Sequence, residues 1–184
     1  MTTPIKWLET QVRLERTCYL ILDSCGQLDE RSNLVNELGV ERYRNLYLET
    51  PVAALASIGP YLFKLAYYHS AALLDLLNQP RRNWGWLASS ANGDLEVITE
   101  HWQARLMKRQ PPNQAVYRFH DNRVLGNALE FLLNEEYPAY LGPLSSVCYW
   151  HEEQWNVADN PTPGFHPLPF SPTWHRAPTP GALA

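Results

Sequence analysis

The feature that most constrains this chain is the run Cys18-Tyr19-Leu20-Ile21-Leu22, closed by Asp23-Ser24. It is too short for an ordinary helix and apolar at consecutive positions, which suits a central strand buried on both faces. Such a strand needs a covering layer on each side, and the surrounding sequence offers helices to supply them. Thr3-Pro4 reads as an N-cap followed by proline at the first helical position, with Ile5, Leu8 and Val12 at helical spacing behind it. A helix over 28–38 is stopped by Gly39, and Ala71 to Leu77 is a compact helix ended by Asn78-Gln79-Pro80. Asp94 can cap the clearest helix, on which Leu95, Ile98, Trp102 and Leu106 form one stripe. Leu125, Ala128, Leu129 and Leu132 mark another helix, and Thr50-Pro51 opens one through Ala53, Ala54 and Ile58. Between them, 45–48, 61–65, 83–89, 116–120 and 147–150 read as further strands.

Strands alternating with helices predict an α/β fold. The expected architecture is a single domain with a central mixed sheet of about five strands flanked by helices. The length, 184 residues, suits one domain. Proline divides the chain: 7 of the 15 fall within 161–184, and their density forbids both helix and inner strand there. The expected organisation is therefore a domain over 1–159 and an irregular proline-rich C-terminal tail over 160–184.

Charge and hydropathy exclude some functions. A net charge of −4 leaves no electrostatic footprint for nucleic acid. No apolar run approaches the ~20 residues that span a membrane, so neither nucleic acid nor membrane is expected as a partner. Met1-Thr2-Thr3-Pro4 lacks the basic and apolar regions of a secretory signal. Three cysteines, Cys18, Cys25 and Cys148, form no CxxC pair and read as small buried hydrophobes in a reducing compartment.

Tyr117-Arg118-Phe119-His120-Asp121-Asn122-Arg123 is the most informative stretch. On a strand, Tyr117 and Phe119 share one face while Arg118 and His120 share the other. Asp121 stands where the strand hands over to a helix, placed to accept backbone N–H groups as N-cap. Arg118, Asp121 and Arg123 therefore read first as a cap and salt-bridge cluster that fixes the corner, and second as a docking element. Catalysis ranks last. His120-Asp121 and His151-Glu152-Glu153 could converge on a metal, yet no two histidines stand at common metal-ligand spacing. His101 and Arg105 read as structural residues on the Asp94-capped helix. No nucleophile elbow, phosphate-cradling glycine loop or H-E-x-x-H helix occurs, so no enzyme activity, cofactor or metal is expected. Trp84, Trp86 and Trp102 suit the core. Trp155, Phe165, Phe170 and Trp174 lie in or beside the tail, where aromatics either contact a partner or pack the tail onto its own domain.

In order along the chain, these motifs resemble the adaptor and effector-chaperone family of bacterial type VI secretion systems. The resemblance begins at Leu20-Ile21-Leu22-Asp23 and continues through Leu48-Glu49-Thr50-Pro51 to Gly59-Pro60-Tyr61-Leu62. It then takes in Trp84-Gly85-Trp86-Leu87-Ala88-Ser89, the helix from Glu100-His101 to Arg105-Leu106, and Tyr117-Arg118-Phe119-His120-Asp121-Asn122-Arg123-Val124. It runs from about Cys18 to Trp155. Two positions depart from the family pattern: Asn122 stands for its usual proline and His120 for its usual aromatic. The resemblance implies a cytoplasmic, non-catalytic protein that binds a cognate secreted effector, a toxin. It would help load that effector onto the VgrG spike or a tip-associated protein. The competing expectations are a toxin-neutralising immunity protein and a metal-assisted hydrolase or nuclease using His120, Asp121, His151 and Glu152.

Overall fold

A computed structural model describes residues 3–25, 28–108 and 115–177. At its centre lies β1 (Thr17–Leu22), hydrogen-bonded on one side to β3 (Tyr61–Lys64) and on the other to β4 (Gly85–Ser90). β2 (Tyr43–Asn45) adds outside β3, while β7 (Ser146–His151) and β8 (Gln154–Asp159) extend the other side, giving the order β2-β3-β1-β4-β7-β8. The α/β fold with helices flanking a central sheet is as expected, but the sheet has six strands and every adjacent pair is antiparallel. The connections explain this. The crossover from β1 to β2 and the one from β3 to β4 each skip one position, and an oppositely directed strand fills the gap. Helical crossovers thus coexist with an antiparallel sheet. The strand expected over 116–120 contributes only to a separate two-stranded ribbon, β5 (Met107–Lys108) with β6 (Ala115–Val116).

The alternation of β1 sorts its side chains into two cores. Cys18, Leu20 and Leu22 join Phe63, Leu87 and Cys148 beneath α1 (Pro4–Arg13), α2 (Leu28–Leu38) and α3 (Ala71–Leu77), which contribute Trp7, Leu8, Leu34, Leu73, Leu76 and Leu77. Tyr19 and Ile21 join Leu62, Trp86, Ala88, Val147 and Tyr149 on the opposite face. There α4 (Leu95–Gln103), α5 (Asn122–Phe131) and α6 (Tyr137–Leu141) supply Leu95, Ile98, Trp102, Leu125, Leu129, Tyr140 and Leu141. Asp94 caps α4 by accepting from the Glu96 and Val97 N–H groups, and the expected stripe Leu95, Ile98, Trp102 and Leu106 is buried. Trp102 is the hub of that core: its ring stacks on Phe119 at 4.5 Å and meets Trp86 and Tyr140 edge-on at 5.3 and 5.7 Å. Such pairs add to the area the rings bury. The helix expected from Thr50 is a 3₁₀ segment, Ala53–Ile58. No helix among the described residues is long and apolar enough to cross a membrane.

Gly85 opens β4 with φ +127°, and a Cβ there would overlap the Ile21 carbonyl oxygen. Only glycine allows this approach of the two central strands. Cys18 and Cys148 are buried, and burial pushes both thiols up to about 12, whereas Cys25 is exposed because it lies past the end of β1.

Candidate functional site

The corner before α5 forms because extended backbone stops early. The Phe119 N–H donates to the Tyr117 carbonyl at 3.0 Å and the Asp121 N–H to the Arg118 carbonyl at 3.0 Å, so two tight turns replace the expected strand. Tyr117 and Phe119 still point into the core and Arg118 still points out. The alternation fails at His120, which the second turn sends inward to 3% exposure. Asp121 caps α5 by accepting the Arg123 N–H at 3.0 Å. The Arg123 guanidinium forks onto the same carboxylate, Nε to Oδ1 at 3.1 Å and Nη2 to Oδ2 at 2.8 Å. Asp121 is 1% exposed. Burial alone would raise its pKa, but the hydrogen bonds and charges of Arg123 and Arg118 hold the carboxyl below its ordinary value.

A residue from the other end of the chain completes the cluster. Asp23, just past β1, accepts from Arg118 at 3.3 Å and from the Cys25 N–H at 3.1 Å. Arg118 also stands 3.7 Å from Asp121, bridging the two buried carboxylates. Burial raises the Asp23 pKa despite the Cys25 N–H and Arg118. His120 Nε2 lies 4.0 Å from Asp23, and its ring meets Phe119 and Tyr47 edge-on. Burial, reinforced by Arg118, pushes His120 down to about 3, so it is neutral at pH 7. The arrangement is layered, with carboxylates and imidazole inside and two half-exposed guanidiniums outside. Chemically, this locks strand to helix and presents donors suited to a carboxylate. Sequence reasoning had Arg118, Asp121 and Arg123 together. It gave Asp23 and Tyr47 no role, although Asp23 stood at the end of the apolar run that opens the resemblance.

The four residues considered for metal-assisted hydrolysis do not form one set. His120 faces Asp23, whereas His151 Nε2 faces Glu130 at 3.3 Å. Among the described residues, the His and carboxylate side chains close enough to share an ion are Glu130, His151 and Glu152, with ligand atoms within 4.8 Å of one another. His101 and Arg105 are structural: His101 Nε2–H donates to the Tyr140 carbonyl at 2.8 Å, and Arg105 donates to the Ala139 and His101 carbonyls.

The aromatics of 155–174 separate into three situations. Trp155 lies on β8, half-buried against Trp84 and Trp150 at 6.1 and 5.6 Å. Trp174 is 1% exposed, with its ring 5.2 Å from Tyr140. It belongs to the core, so of the two alternatives open for the tail aromatics Trp174 takes the one in which the tail packs onto its own domain. Phe165 and Phe170 are 92% and 93% exposed. The stretch 164–173 that carries them runs back over the domain, where Gly164 N–H donates to the Gly142 carbonyl, Arg105 to the His166 carbonyl and Thr173 to Glu136. It borders an apolar groove of about 510 Å³ beside α4, lined by Val97, Ala104, Pro143, Phe165, Pro167 and Leu168.

Residues 18–139 match a family described as a domain of unknown function (DUF4123). No curated protein and no solved structure matches the chain.

Proposed function

This chain belongs to the DUF4123 family, and we propose that it is an adaptor that holds a type VI secretion effector for loading onto the VgrG spike. The observation that carries the proposal is the span of the family match. Residues 18–139 take in the motifs from Leu20-Asp23 to the Arg118/Asp121/Arg123 corner, the same ones that resemble the effector-adaptor family. The surface supports it. Phe165 and Phe170 stand in solvent, Phe165 at the edge of an apolar groove, and burying aromatic surface against a client supplies affinity without chemistry. Whatever binds only the folded client also raises its population.

The test is affinity purification of the tagged protein from its bacterial host, followed by secretion assays in a strain lacking it. A toxin-like effector and a spike component should co-purify, and loss of the adaptor should abolish release of that effector. Recovery of neither protein overturns the proposal. Protection from a toxin with secretion unchanged would assign the chain a neutralising role instead.

A further inference from the structure

The tip of the β7–β8 hairpin carries a feature that neither the fold nor the proposed adaptor role requires. The two-residue turn is Glu152-Glu153, with φ +49° and +61°. Turns with both central residues at positive φ favour Asn-Gly, because a Cβ crowds the backbone there and glycine has none. Here the pair is two carboxylates. Glu153 is occupied in an ion pair with Arg81. Glu152 instead shares a site with His151 and Glu130, the latter on the adjoining face of α5.

His151 is held in place for that site. Its ring packs against α5 at Gly126, where an added Cβ would overlap the ring's Cγ and Nδ1. The side chain is 11% exposed, with Nε2 turned to Glu130 Oε1 at 3.3 Å. Around a tetrahedral ion with metal–nitrogen and metal–oxygen bonds of ~2.0–2.1 Å, neighbouring ligands stand ~3.3–3.4 Å apart. His151 and Glu130 already have that spacing. Glu130 and Glu152 are exposed, so rotation about their side-chain bonds closes the remaining gap. One imidazole with two carboxylates suits a borderline divalent ion such as zinc better than calcium or magnesium, which take oxygen ligands.

We infer that Glu130, His151 and Glu152 form a binding site for a first-row divalent cation, zinc by donor chemistry, which clips the hairpin tip to α5. Binding uses the Nε2 lone pair of neutral His151, with its proton on Nδ1, and both carboxylates ionised. Three protein ligands leave a fourth position for solvent. Beside the site lies a depression of about 280 Å³ lined by Asn122, Arg123, Trp150 and the hairpin turn.

The experiment is calorimetric titration of the tag-free full chain, first stripped with chelator, with zinc, and separately with cobalt read by its visible absorption. One equivalent should bind, and cobalt should give the intense bands of a four-coordinate site. Glu130→Gln and Glu152→Gln, both exposed, leave the fold intact by circular dichroism. Each should weaken binding by about tenfold or more, since even the outer partners of a metal site are worth ~10–100-fold. Glu153→Gln, beside the site but paired with Arg81, should leave affinity unchanged. Absence of stoichiometric binding, or binding that neither Glu130→Gln nor Glu152→Gln weakens, overturns the inference.

Discussion

Asp121 performs two tasks with one carboxylate, and they can be separated. As N-cap it satisfies a backbone donor of α5; as an anion it holds Arg123 and faces Arg118. Asparagine keeps the cap acceptor and loses the charge, whereas alanine loses both. Asp121→Ala should cost about 1–3 kcal/mol in urea unfolding, from the lost cap and the bonds to Arg123, and Asp121→Asn clearly less. Equal losses would mean that the charge alone matters. The cap was legible in sequence, because an Asp before an apolar-periodic segment has a local signature. Asp23 was not, since its partnership with Arg118 spans 95 residues and no local pattern encodes it. The inward turn of His120 was hidden for a related reason: strand alternation placed it with Arg118, and only the two tight turns reverse it.

At the scale of elements, the segment after β8 is part of the fold and also carries exposed aromatics. Trp174→Ala should destabilise by about 3–5 kcal/mol, as large-to-small changes of buried Trp do. Phe165→Ala and Phe170→Ala should stay within ~0.5 kcal/mol, as for exposed sites, while lowering client recovery in pull-down. If Trp174→Ala melts like the native chain, the segment is an appendage. If the Phe variants recover the client undiminished, the contact surface lies elsewhere. Proline density correctly excluded regular structure over 161–177, apart from the 3₁₀ turn Thr173–Arg176, but said nothing about where Trp174 goes. β1, β4 and α4 could be read because their apolar patterns are dense and local. β8 was overlooked because Gln154, Asn156 and Asp159 dilute its pattern and its turn is Glu-Glu instead of Asn-Gly. The mixed sheet was expected because helices alternated with strands. Strand direction depends on which positions the crossovers skip, and the sequence order leaves that open.

Across the whole molecule, several histidines are held neutral, and this makes stability depend on pH. Burial lowers His101 and His120 to about 3 and His175 to about 4. In the unfolded chain each titrates near 6.5. Between those values the unfolded state binds the proton and the native state does not, so stability rises with pH across the window and is lost as pH falls below 6.5. The slope is about 1.4 kcal/mol per pH unit for each such histidine. Urea unfolding between pH 7.5 and 5 should show the decline starting near 6.5, above the range of ordinary carboxylates. His120→Phe keeps an aromatic ring there without the titrating group and should flatten the slope by one histidine's share. An unchanged slope would show that His120 is not among the groups responsible.

The central place of β1 has a consequence for synthesis. It is made before either of its neighbours, and both of its hydrogen-bonding edges wait for partners that end at Lys64 and Ser90. At translation rates of ~5–20 residues per second, the 68 residues from Leu22 to Ser90 take roughly 3–14 s to add. Through that interval the most apolar stretch of the protein, Cys18 to Leu22, lacks its β4 partner, and until Lys64 has been added it lacks β3 as well. Exposed apolar segments of that length are the ones that pair with other chains. The nascent chain is thus most prone to aggregate before β4 has been made.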